Sequence, residues 1–186
     1  MPKAKGASEK DMFGHPVRKR VDKYERMLAK SDKETFASRV ERLKFVDGII
    51  GNIGMLGSME TVFIFREAGW AYINGAFIST IMLSQAFIER RLHDLMFEKG
   101  FESEAKHGAQ SIIKFCRKNQ LVSDFLLDKF DRLRQIRNPF VHVKSSDHPF
   151  SLDQRMFTEK IQPNDLIEND AKEALSLMYT LLLTRL

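Results

Sequence analysis

The segment Arg134-Gln135-Ile136-Arg137-Asn138-Pro139-Phe140-Val141-His142 gathers an arginine, an asparagine and a histidine within six positions. Histidine titrates near neutral pH and suits proton transfer. Arginine carries a fixed fork of donors that matches phosphate oxygens. A continuous helix aligns residues three or four apart and places a five-residue pair poorly. Asn138-Pro139 predicts a helix break at this point, with Asn138 as N-cap and proline in the first turn of the next helix. Such a break lets Arg137 and His142 point to one place. A purely structural reading stays open, in which Arg137 pairs with Glu89 or Asp131, His142 is a satisfied core histidine and Asn138 is only a cap.

Other chemistry is poorly served. His142, Asp147 and His148 have metal-ligating side chains, but no second pair of ligands lies near them in sequence. Cys116 with His107 suggests a thiol nucleophile, yet Cys116 falls on an amphipathic stripe where a buried, inert thiol is expected. Gly48, Gly51, Gly54 and Gly57 repeat every third residue without the Gly-Lys-Ser/Thr ending of a phosphate loop, and read as a connection between helices. There is no Gly-x-Ser-x-Gly or His-Glu-x-x-His motif. No metal and no cofactor is expected.

The elements that must position these residues are helical. Ser31 followed by Glu34 reads as a capping box, and Phe36, Val40, Leu43 and Val46 then recur at helical spacing. From Ala68 to Ile88 there are 21 residues without a charge. Polar residues interrupt that run and charges crowd both flanks, so it predicts a buried central helix rather than a membrane span. Gly69 and Gly75 are candidates to divide it into helices at about 59–73 and 75–98, with Gly100 as the closing cap. Residues 103–118 carry Ile112, Ile113, Phe115 and Cys116 on one side. Residues 122–137 carry Val122, Phe125, Leu126, Phe130, Leu133 and Ile136. The stretch 144–163 is polar and rich in turn formers, and reads as an irregular excursion. A last helix from about Asp165 or Asn169 turns Ala174, Leu177, Met178, Leu181 and Leu182 inward. The fold class is all-α, a bundle of about five to six helices.

The combination resembles the HEPN superfamily of helical domains. Arg137, Asn138 and His142 match its Arg-polar-x-x-x-His signature without a gap. The helix from Ala71-Tyr72-Ile73-Asn74-Gly75-Ala76-Phe77 to Glu89 resembles the family's helix with an acidic residue in Glu89's place. The helix at Asn169-Asp170-Ala171-Lys172-Glu173-Ala174-Leu175 is similar to its last. The likeness covers about residues 58–186. It implies a metal-independent endoribonuclease working as a homodimer, with Arg137, His142 and Asn138 catalytic and Glu89 supporting. RNA carries its own nucleophile, the 2′-hydroxyl, so such a site needs proton transfer and charge stabilisation. One histidine cannot easily serve both sides of an in-line displacement, and two subunits would supply two. The resemblance further implies a toxin or antiviral-defence effector, with an antitoxin or regulatory partner. Some family members only bind RNA or nucleotide, or mediate association, and that alternative stays open.

Length and composition fit this picture. A chain of 186 residues, 43% apolar and 30% charged, is enough for one domain without staples. Its single cysteine excludes an internal disulfide and points to a reducing, cytoplasmic setting. Fifteen Phe against three Tyr and one Trp suit core packing better than base stacking. Residues 1–30 hold nine Lys/Arg against four acids, which accounts for the whole formal charge of +5. They are expected to form a basic, partly disordered arm, with Arg18, Lys19 and Arg20 as candidate nucleic-acid contacts. Residues 31–57 would be a helix and a glycine-rich connection, and 58–186 the HEPN-like helical domain.

Overall fold

The structure, a computed structural model, describes residues 22–49 and 58–183. Among them are eight helices and no strand, so the all-α class is as expected. The chain divides into two compact units, residues 1–38 and 39–186. Arg18, Lys19, Arg20 and the glycines at 51, 54 and 57 lie outside the described residues.

In the first unit the described residues form the opening of α1 (Lys23–Ile49). The helix starts eight residues before the expected capping box. Asp22 caps it instead: its backbone N–H donates to the Glu25 carboxylate at 3.3 Å, and its carbonyl accepts from Arg26 N at 3.1 Å. Ser31 is therefore a mid-helix residue, and its carbonyl accepts from the Thr35 hydroxyl at 2.9 Å. Residues 23–30, expected in the arm, are helical. Phe36, the first of the apolar positions at helical spacing, is exposed.

The second unit takes in the end of α1 together with α2 (Met59–Ile73), α3 (Phe77–Glu98), α4 (Glu102–Ala105), α5 (Ala109–Lys118), α6 (Asp124–Val141), α7 (Leu152–Glu159) and α8 (Pro163–Leu183). Val46 is buried and Phe45 meets Tyr72 in a tilted ring contact with centroids 5.5 Å apart, which ties the end of α1 to this core. α3 is the central helix, packed mainly against α2, α8 and α6. Ile81, Phe87, Ile88 and Leu92 from α3 meet Phe130 of α6 and Met178 of α8 in one apolar core.

Gly75 ends α2 in a left-handed conformation at φ 77°. Ala76 N donates to Ala71 O at 2.8 Å and Gly75 N to Tyr72 O at 3.0 Å, a Schellman closure that a Cβ would disfavour. Gly100 closes α3 in the same way. Gly69, the other candidate divider, lies inside α2, where a Cβ would come to 3.4 Å from the Tyr179 hydroxyl. The uncharged run therefore breaks at Gly75 alone. No helix among the described residues is long and apolar enough to cross a membrane.

The two helices beyond the expected six have clear origins. Residues 103–118 split around Gly108 into the single turn α4 and the longer α5. The excursion at 144–163 contains α7. Ser151 caps it, accepting from Gln154 N at 3.1 Å while donating to Ser146 O at 2.7 Å. Arg155 anchors it, pairing with Asp170 of α8 at 2.6 and 2.8 Å where both side chains are buried. The last helix begins earlier than expected, at Pro163, a residue whose missing N–H suits a first turn. Of the expected core positions on α6, Phe125 is exposed, while Leu126, Phe130, Leu133 and Ile136 are buried.

Candidate functional site

α6 does not break at Asn138-Pro139. It runs through both and ends at Val141, with His142 N donating to Asn138 O at 2.8 Å. Asn138 is consequently not an N-cap. Pro139 stands within the last turn, so its missing N–H costs one hydrogen bond, to the Gln135 carbonyl, and leaves the rest of the ladder intact. The departure from helix comes at His142 itself, which caps the helix with extended backbone at φ −124° and ψ 131°.

That change of direction has the effect expected of a break. Arg137, Asn138 and His142 all line one open cleft of about 410 Å³, together with Glu89 of α3. Arg137 Nη2 lies 3.4 Å from Glu89 Oε1, and its Nη1 lies 3.4 Å from Asn138 Oδ1. Of the two carboxylates that could pair with Arg137, Glu89 is the one it meets. Asp131 is taken by Arg134, at 2.7 and 2.8 Å, and by Gln135 at 2.7 Å. With its amide turned over, Asn138 donates to Arg134 O at 3.2 Å and accepts from Arg134 Nη1 at 3.3 Å, so it can serve either arginine. His142 is exposed, and its ring has no hydrogen-bond partner among the described residues. It is not a core histidine.

Two further contributors were not singled out from sequence. Arg134 lies one turn before Arg137 on the same face of α6 and lines the cleft. Its three-residue spacing from Arg137 was the available signal. The start of α5, Gly108 to Ser111, forms the facing wall. Gly108 brings no capping side chain, so the first amides of α5 and the positive end of its dipole are turned to solvent at the cleft. Two guanidinium groups and a helix N-terminus thus surround a single lining carboxylate, Glu89. The arrangement favours an anion, and the imidazole of His142 lines the same cleft.

The other candidates separate. Among the described residues no three His, Cys, Asp or Glu side chains stand close enough to share a metal ion. His148 Nδ1 instead accepts from Phe150 N at 3.2 Å, and Asp147 accepts from the Ser145 hydroxyl. Cys116 is fully buried, and burial pushes its thiol pKa up, the opposite of what a nucleophile needs.

No family model, no curated protein and no solved structure matches this chain.

Proposed function

We propose that this protein is a HEPN-like endoribonuclease that cleaves RNA without a metal, by attack of the substrate's own 2′-hydroxyl on the adjacent phosphate. The observation that carries the reading is the convergence of Arg137, Asn138, His142 and Glu89 on one solvent-open cleft. In the proposed reaction His142 moves protons. Arg137, with Arg134 and the amides at the start of α5 around it, holds the charge that grows on the phosphorane. Glu89 is already engaged by Arg137, which leaves no cluster of carboxylates in the cleft to hold magnesium. A homodimer would bring a second His142 to the opposite side of the displacement, and the basic residues before Asp22 would draw in RNA. Toxin or defence effector is the corresponding biological role, with an antitoxin or regulatory partner to restrain it.

One observation favours a second reading. The His142 ring has no orienting partner among the described residues, as a catalytic histidine usually has. A module that binds RNA or nucleotide without cutting it would need none. Incubation of the purified protein with total RNA, beside His142→Ala, separates the two. Cleavage by the wild type alone is the expected result, and intact RNA in both leaves the binding module.

A further inference from the structure

Gln85 of α3 is only 1% exposed, one helical turn before Glu89. Its Nε2 donates to Glu89 Oε1 at 2.8 Å, the same oxygen that Arg137 Nη2 approaches at 3.4 Å. Its own Oε1 is buried and has no partner among the described residues. An apolar side chain of the same size would avoid that unmet acceptor, so packing alone does not explain an amide here. What the amide does is fix the carboxylate. Both donors converge on Oε1, which leaves Glu89 Oε2 without a partner among the described residues.

We propose that Gln85 is a positioning residue for the cleft: through Glu89 it sets the orientation of Arg137. The groups facing Glu89 make this necessary. Arg134 and Arg137 of α6 both line the cleft with it, and the start of α5 adds positive potential from the other wall. A carboxylate free to turn could follow any of these. Held by Gln85, it draws Arg137 alone and leaves Arg134 to Asp131. The inference rests on the proposed reading for its consequence in catalysis, but the positioning itself is a property of the free protein.

Gln85→Met keeps the volume and removes the amide. Its melting temperature should equal or exceed the wild type's. The side-chain Nε–H resonance of Arg137, assigned by its loss in Arg137→Ala, should move towards the position of a free arginine. RNA cleavage should slow about tenfold, in kcat rather than KM, as expected when a charge-assisted hydrogen bond behind the site is lost. Gln85→Asn keeps an amide one methylene short of Glu89 and should give the same shift and loss. The resonance is read without RNA, so a wild type that leaves RNA intact while its Arg137 signal responds to Gln85→Met would retain the positioning role and remove only the cleavage reading. An unmoved Arg137 resonance in both variants would overturn the inference, whether or not the melting temperature falls.

Discussion

Among the arginine–carboxylate pairs that join helices in the second unit, Arg155–Asp170 and Arg137–Glu89 are built in opposite ways. Arg155 and Asp170 meet through two bonds of 2.6 and 2.8 Å, with side chains 7% and 4% exposed, and Arg155 Nε is taken by Glu159 at 3.1 Å. Burial alone would lower the pKa of that guanidinium, but its hydrogen bonds to Asp170 and Glu159 and their charges outweigh burial and raise it. Arg137 and Glu89 meet once, at 3.4 Å, with side chains 21% and 29% exposed. The first pair uses the donor fork for the fold, fastening α7 to α8. The second leaves much of the fork facing a cleft. The contrast shows that an arginine–carboxylate pair is assigned a role by what its remaining donors meet and not by the pair itself.

The largest expected effect comes from breaking the closed pair. Arg155→Ala leaves Asp170 buried without its cation and should lower stability by about 3–5 kcal/mol, read by chemical denaturation. Cleavage per folded molecule should persist. The open pair should respond the other way round. Arg137→Ala and His142→Ala should each lower the cleavage rate by about 10²–10³. Because Glu89 can reach water, Arg137→Ala should change stability by less than about 1 kcal/mol. If the two arginines gave the same pattern of loss, the comparison would fail.

Alkaline pH should separate core from cleft more gently. Burial pushes the Tyr179 hydroxyl up to about 12, and burial with the charge of Glu168 does the same for Tyr72 against the opposing pull of Arg42. A group that holds its proton more tightly when folded stabilises fully below its unfolded pKa near 10, and that contribution is lost as pH rises through the folded value. Stability should therefore fall between about pH 10 and pH 12. Tyr179→Phe should reduce the fall, and Arg137→Ala should leave it unchanged. The smallest effect concerns the link from α5, which walls the cleft, to α6. Gln120 closes α5 in the left-handed region at φ 52°, where a side chain is strained. Gln120→Gly should raise stability by about 1 kcal/mol without altering cleavage.

Much of the helical core was legible because its signals are local. The uncharged run at 68–88, the glycines at 75 and 100 and the apolar stripe of α8 each arise from side-chain periodicity or backbone freedom. What escaped was set by competition or by a single tertiary contact. The capping box at Ser31 lies inside α1, because Ser31 can be accommodated mid-helix once Asp22 has begun the helix nine residues earlier. α7 buries a charged residue, Arg155, which a search for apolar stripes passes over. In the cleft, Arg137, Asn138, His142 and Glu89 were placed together from motif and helix order. Yet the turn that unites them lies at His142 and not at Pro139, since a proline in the last turn removes only one bond. Arg134 and Gln85 gained their meaning from neighbours on other helices, which no spacing along the chain could reveal.

The central claim is that the cleft directs a 2′-hydroxyl at its own phosphate, and the products of a defined RNA test it most directly. An oligoribonucleotide is incubated with the protein in chelator, and the fragment ends are identified by mass spectrometry beside a copy carrying a 2′-deoxy sugar at the cut. 2′,3′-Cyclic phosphate and 5′-hydroxyl ends are expected from the first substrate and none from the second. Cutting that stops in chelator and returns with magnesium, or that proceeds equally through the deoxy sugar, would contradict it.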